Sequence, residues 1–220
     1  MYQYILFDLD GTLTDPGIGI SNSVAYALEK YNISVEDRTE LYKFIGPPLQ
    51  DSFMEFYGFS EMESKRAVEY YREYFRDKGI FENEVYEGIP ELLQTLKGSG
   101  KQVILATSKP EEFAIQILEH FNLIQYFDFV AGATMDGSRS EKADIIQYAL
   151  EHCMIKDKSK VIMVGDRKHD IIGAAQNKLP AIGVLFGYGS EEELRSAGVK
   201  YLARTSFDIL KYISRSVSLC

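Results

Sequence analysis

Asp8-Leu9-Asp10-Gly11-Thr12 directly follows a short apolar run. Residues i and i+2 of an extended segment point the same way, so both carboxylates face one spot. Gly11 lets the chain turn sharply and brings backbone N–H groups close to a ligand. Alone, the pentapeptide reads equally well as a polar turn. A second run ends Val164-Gly165-Asp166-Arg167-Lys168-His169-Asp170, with Asp170 four residues after Asp166, on one face of a helix that starts there. Asp8, Asp10, Asp166 and Asp170 are thereby expected to face one crevice. Like charges a few ångströms apart repel by several kcal/mol at an effective dielectric of about 20, so either some are protonated or a cation sits among them. Oxygen donors without paired His or Cys favour Mg²⁺ over zinc. Arg167, Lys168 and His169 read as solvated helix-start residues, and His169 is not needed as a ligand. A third run ends Ala106-Thr107-Ser108-Lys109-Pro110. A Thr or Ser hydroxyl with free N–H groups at a helix N-terminus binds phosphate oxygens. Ser108 serves as well for an N-cap, and Lys109 for a solvated charge. Lys142, opening the following helix, is a further cation able to reach the same crevice.

The elements that must position these groups are legible as four apolar runs, 4–7, 103–106, 161–164 and 181–185, with a weaker one at 127–131. None alternates polar with apolar residues, the pattern of strands buried on both faces of a parallel sheet. Between them lie helical stripes: Phe113, Ala114, Ile117, Leu118 and Phe121 after Pro110; Ile145, Ile146, Ala149 and Leu150; Ile171, Ile172, Ala174 and Ala175. Alternating strands and helices predict a doubly wound α/β domain with a parallel, Rossmann-like sheet. About 95 residues separate the first two strands, too many for one crossover. That gap carries a helical stripe over 20–31, another over 61–77 preceded by the capping-box signature Ser60-x-x-Glu63, and shorter helix candidates at 41–45 and 49–57 flanking Gly46-Pro47-Pro48. No strand-like run is visible there. The expected organisation is an α/β core of residues 1–14 and 85–220 with an all-helical insert at 15–84. Tyr70, Tyr71, Tyr74 and Phe75 read as core of that insert, and Ser214 to Cys220 as a frayed tail.

Composition narrows the function. With 24 basic and 33 acidic residues the net charge is −9, which disfavours a nucleic acid or anionic membrane as partner. The apolar runs are strand-length, whereas a membrane span needs about 20 residues. The N-terminus has no basic region and its apolar stretch is cut by Asp8 and Asp10, unlike a signal peptide. Two cysteines, Cys153 and Cys220, make no disulfide framework. A cytoplasmic protein is expected.

Together the motifs resemble the haloacid dehalogenase superfamily over nearly the whole chain: Asp8-x-Asp10-Gly11-Thr12, then Thr107 ending a strand, then Lys142, then Gly165-Asp166-x-x-x-Asp170. The insert resembles the helical cap of the phosphoglycolate-phosphatase-like branch. Phe44-Ile45-Gly46-Pro47-Pro48-Leu49, Gly165 to Gly173 and Gly187-Tyr188-Gly189-Ser190 look like bacterial members described as 5′-nucleotidase-like. The chain departs from many relatives in having Glu141-Lys142-Ala143-Asp144 where they carry Lys-Pro-x-Pro, which leaves Lys109 as the reserve for Lys142.

The resemblance implies a Mg²⁺-dependent phosphomonoesterase. Asp8 would be the nucleophile that forms an aspartyl-phosphate, and Asp10 the general acid and base. Mg²⁺ would be held by Asp8, the Asp10 backbone carbonyl and Asp166, with Asp170 acting through a bound water. Gly11, Thr107, Ser108 and Lys142 would take the phosphate oxygens, and the Gly46-Pro47 loop would touch the leaving group. A small phosphorylated metabolite, with nucleoside 5′-monophosphates favoured, is the implied partner of a monomer or dimer. Phosphoglycolate phosphatase, a sugar-phosphate mutase and a silent phosphate-binding module are the alternatives.

Overall fold

The computed structural model describes residues 1–214. In chain order the elements are β1 (Tyr4–Phe7), β2 (Thr14–Asp15), α1 (Gly17–Glu29), a 3₁₀ turn (Arg38–Phe44), α2 (Leu49–Tyr57), α3 (Glu61–Tyr74) continuing into a π turn (Phe75–Gly79), β3 (Glu84–Val85), α4 (Ile89–Gly98) and β4 (Gln102–Pro110). Then come α5 (Glu111–His120), β5 (Phe129–Ala133), α6 (Lys142–His152), β6 (Val161–Gly165), α7 (Lys168–Gln176), β7 (Ala181–Val184), α8 (Glu191–Ser196), β8 (Tyr201–Ala203) and α9 (Ser206–Ser214). The chain forms two compact units, Met1–Thr14 with Val85–Cys220, and Asp15–Glu84.

The first unit is an α/β fold around a six-stranded parallel sheet in the order β5-β4-β1-β6-β7-β8. Ile5, Leu6 and Phe7 of β1 and Val161 to Val164 of β6 are fully buried, as their unbroken apolar runs require. Leu6 packs in one cluster with Ile104, Met163, Ile145, Ile146 and Ala149, joining the sheet to the apolar face of α6. The chain fills the sheet from β1 towards β5 and then returns to add β6 on the other side of β1. That reversal leaves a crevice at the carboxyl ends of the strands, where Asp8 follows β1 and Asp166 follows β6.

The expected strand at 103–106 extends through Thr107, Ser108, Lys109 and Pro110, because β4 keeps pairing with β5 beyond a break in register between Ala106 and Pro110. Pro110, and not Ser108, is therefore the N-cap of α5.

In the helical unit Ser60 and Glu63 form the expected capping box at α3, whereas 41–45 tightens into the 3₁₀ turn over Arg38–Phe44. Tyr71 and Phe75 are buried with their rings stacked at 5.3 Å, and Tyr70 and Tyr74 are half-buried. Gly46 has φ of 102°, a conformation that favours glycine, and Pro48 is the N-cap of α2. Gly46 and Pro47 are half-buried and not fully exposed. At the boundary of this unit the two-residue strands β2 and β3 pair, a feature too short to leave an apolar pattern. The predicted tail lies, from residue 215 on, outside the described residues.

Candidate active site

Asp8 leaves β1 with its N–H donated to Val164 O at 2.9 Å, so neighbouring β6 fixes its backbone. The chain then folds into a tight turn in which Leu9 O accepts from the N–H groups of Thr12, Leu13 and Thr14. Gly11, at φ +78°, has no room for a side chain, since a Cβ there would lie 2.2 Å from Asp166 Oδ2. Asp166 is fully buried. Its Oδ2 accepts from the Tyr188 N–H at 2.8 Å and its Oδ1 from the Thr12 hydroxyl at 3.4 Å. Asp170, in the first turn of α7, accepts from the Arg167 N–H at 3.0 Å. Oxygens of Asp8, Asp166 and Asp170 all lie within 4.8 Å of one another.

Lys142, at the start of α6, reaches into this group. Its Nζ lies 2.8 Å from Asp8 Oδ1 and 2.9 Å from Asp170 Oδ1, and donates a hydrogen bond to Ala106 O at 3.0 Å. Gly173 of α7 makes room for it, since a Cβ there would lie 2.9 Å from Lys142 Cγ. Asp10 points to the other lysine: Lys109 Nζ donates to Asp10 Oδ2 at 2.5 Å. Thr107 is buried and accepts from the Lys109 N–H at 3.3 Å, with Ser108 half-buried on the same segment.

Burial governs the titration. It pushes Asp166 well above the usual carboxylate range, reinforced by Asp170 and Asp8. It raises Asp170 to about 6, against the pull of Lys142, and also raises Asp10, with Lys109 opposing. Burial alone would depress the Lys142 ammonium, but the Asp170 and Asp8 carboxylates prevail and hold it above its ordinary value.

The structure brings together Asp8, Asp166, Asp170 and Lys142, with Gly11 against Asp166 and Asp10 on Lys109. Asp170, expected to act only through a water, has an oxygen as near the metal-type cluster as the others. Lys109 is not solvated, its side chain being 5% exposed. Arg167 is not a solvated residue either, for its Nε donates to Glu193 Oε1 at 2.9 Å. That same oxygen accepts from the Lys168 N–H at 2.9 Å and steadies the entry to α7. Sequence reasoning missed the 187–189 loop as part of the site. Its signal was a pair of glycines: a Cβ at Gly187 would meet Gly11 O at 2.1 Å, and one at Gly189 would meet Asp166 O at 1.8 Å. Only a glycine loop lets the Tyr188 N–H approach Asp166.

A divalent cation fits the donor set. Four carboxylates, those of Asp8, Asp10, Asp166 and Asp170, face two ammonium groups, those of Lys109 and Lys142, so full ionisation leaves two negative charges. Among the described residues, Asp8 Oδ1 and Asp170 Oδ1 are buried without a hydrogen bond of good geometry, despite lying beside Lys142. Hard oxygen donors in this arrangement suit Mg²⁺.

The comparisons agree with this geometry. The family model described as haloacid dehalogenase-like hydrolase matches residues 5–184. A 5′-nucleotidase from Pseudomonas aeruginosa is 46% identical over 202 residues, covering 89% of this chain and 88% of that protein. The tyrosine-protein kinase PtkA from Mycobacterium tuberculosis is 37% identical over 187 residues, covering 85% of this chain but 63% of the kinase. The crystal structure of a protein described as a predicted phosphatase from Clostridium acetobutylicum superposes with a TM-score of 0.94 at 52% identity, covering 97% of this chain and 98% of that one. Among the described residues no helix is long and apolar enough to cross a membrane. With the acidic strand ends, the buried lysine and these likenesses in agreement, the chain belongs to the haloacid dehalogenase-like hydrolases and is a phosphatase of that family.

Proposed function

We propose that the protein hydrolyses phosphate monoesters of small metabolites, nucleoside 5′-monophosphates foremost, with Mg²⁺ and through an aspartyl-phosphate on Asp8. The convergence of three buried carboxylates on one buried lysine at the sheet's switch point carries this reading.

Asp8 is held by β6 with its carboxylate in the crevice and serves as the nucleophile toward phosphorus. Asp8, Asp166 and the Asp10 carbonyl, with Asp170 adjacent, would hold Mg²⁺, which when bound would supply the charge neutralisation that lets an anion approach these carboxylates. Lys142 keeps its proton across the physiological range, because Asp170 and Asp8 raise it, and so offers a permanent positive charge to a phosphate oxygen. The Thr107 hydroxyl, the Ser108 N–H and the Gly11 segment take the remaining oxygens. Asp10, raised by burial, gives its proton to the departing alcohol and then takes one from the water that cleaves the acyl phosphate.

The helical unit Asp15–Glu84 serves as the cap, and the Gly46-Pro47 turn as its specificity loop. A cytoplasmic setting belongs to the same reading. Nucleotide preference is supported by the 46% identity to the Pseudomonas aeruginosa 5′-nucleotidase.

Phosphate release from a panel of nucleoside monophosphates, phosphoglycolate and sugar phosphates, with and without a chelator, tests the proposal. Release confined to phosphoglycolate would overturn the substrate class, and an isomerised sugar phosphate without free phosphate would replace hydrolase by mutase. Transfer from ATP to tyrosine, with no phosphate released from monoesters, would align the chain with its kinase-named relative.

A further inference from the structure

Lys109 is unusually fixed for a lysine. It precedes Pro110, which restricts its backbone to extended conformations, and it lies where β4 passes its register break and pairs again at Pro110 with Ala133. Its N–H is donated to Thr107 Oγ1. The side chain is 5% exposed and ends on Asp10 Oδ2, while the Asp10 side chain is 14% exposed. The other oxygen of Asp10, Oδ1, is buried and has no hydrogen-bond partner among the described residues. A carboxyl group gripped at one oxygen and bare at the other has a single orientation. Lys142, by contrast, is committed to Asp8, Asp170 and Ala106 O, so the two lysines divide the acids between them.

We propose that Lys109 is the positioning residue for Asp10, holding Oδ2 so that Oδ1 is the oxygen presented to the leaving group. This rests on the reading of Asp10 as the acid that protonates the departing alcohol. On that basis Lys109 serves leaving-group departure and not phosphate binding, and its removal costs most where departure needs a proton. An alkoxide leaving group needs one, while a stabilised phenolate does not.

The test compares Lys109→Met, Lys109→Arg and Asp10→Asn in the full-length, Mg²⁺-loaded enzyme on a nucleoside 5′-monophosphate and on para-nitrophenyl phosphate. Lys109→Met is expected to lower kcat on the nucleotide about 100-fold, within the range for a positioned proton donor, with a loss at least about tenfold smaller on the aryl ester and KM little changed. Lys109→Arg, which retains the charge and the donor, is expected to recover most of the loss, and Asp10→Asn/Lys109→Met to be no slower than Asp10→Asn alone. Equal losses on both esters with raised KM would make Lys109 a phosphate ligand and overturn the proposal. If Lys109→Met does not fold, Lys109→Arg must retain most of the turnover, with any loss larger on the nucleotide than on the aryl ester, and a leaving-group-independent loss in that variant is equally contrary. An Asp10→Asn enzyme with no leaving-group dependence would remove the acid itself. Asp10→Asn behaving as expected while Lys109→Met matches wild type would refute the role of Lys109 alone.

Discussion

Replacing Lys142 by Met removes the cation between Asp8 and Asp170 while keeping most of the side-chain volume. The two carboxylate oxygens lie within 4.8 Å of one another, and at an effective dielectric of about 20 their unscreened repulsion is about 3 kcal/mol. Breaking a buried ion pair from one side typically costs about 3–5 kcal/mol, in the same range. For a chain of this size that corresponds to a fall in Tm on the order of 10 °C in chelator at pH 8. The pH dependence has a definite sign. Asp170 is raised in the folded state to about 6, so between about pH 4 and pH 6 the native protein binds a proton that the unfolded chain does not. Metal-free wild type should therefore lose stability as pH rises through that window, with Asp166 and Asp10, also raised by burial, acting in the same direction. In Lys142→Met the uncompensated acids extend this slope to higher pH, and the deficit against wild type should shrink as pH falls towards 5. Thermal unfolding of both proteins from pH 5 to pH 8 in chelator reads this directly. A Tm for Lys142→Met equal to wild type at pH 8, or a deficit that grows on acidification, would refute the electrostatic account of the site.

Other consequences follow from the same geometry. Asp10→Asn should lower kcat on nucleotide esters about 10²–10⁴-fold while the Mg²⁺-induced rise in Tm persists; kinetics unchanged from wild type would deny Asp10 its role. Gly187→Ala places a methyl 2.1 Å from Gly11 O and 2.5 Å from Asp166 Cβ, and should cost about 1–3 kcal/mol in urea denaturation and weaken Mg²⁺ binding, whereas Gly137→Ala, with open space around its Cβ, should leave Mg²⁺ binding intact. Magnesium at about 100 times its Kd should stabilise the folded enzyme by about 2.7 kcal/mol, and Asp166→Asn should abolish that gain in a calorimetric scan.

Much of the fold was legible because the strands that build the site are its most buried. Short unbroken runs such as Tyr4 to Phe7 and Val161 to Val164 have the length and composition of central strands, and acids following such runs fall at one edge of a parallel sheet. The strand at 201–203 is not legible in sequence, because an edge strand of three residues leaves no pattern to count. Helix α4 carries a readable signal in Ile89, Leu92, Leu93 and Leu96, all buried, at the edge of the insert. The extension of β4 through Thr107 to Pro110 was illegible for another reason: a proline suggests the first turn of a helix, yet pairing with Ala133 on the far side of the register break keeps the segment extended. The division of labour between the lysines was equally hidden. Lys109 and Lys142 are each plausible beside a phosphate from sequence, and only the three-dimensional placement assigns one to Asp10 and the other to Asp8 and Asp170. The wrap of Tyr188 over Asp166 depends on approaches near 2 Å that only missing side chains permit, a constraint invisible until the loop is folded.

The chemistry assigned to Asp8 is most directly tested by rapid acid quench of the enzyme during turnover of a nucleoside 5′-monophosphate with Mg²⁺, followed by mass analysis of its peptides. One phosphoryl group is expected on the peptide containing Asp8, lost when Mg²⁺ is chelated before mixing and absent from Asp8→Asn. A phosphoryl group carried on any other residue, or an unmodified Asp8 peptide during a resolved burst of product, would contradict it.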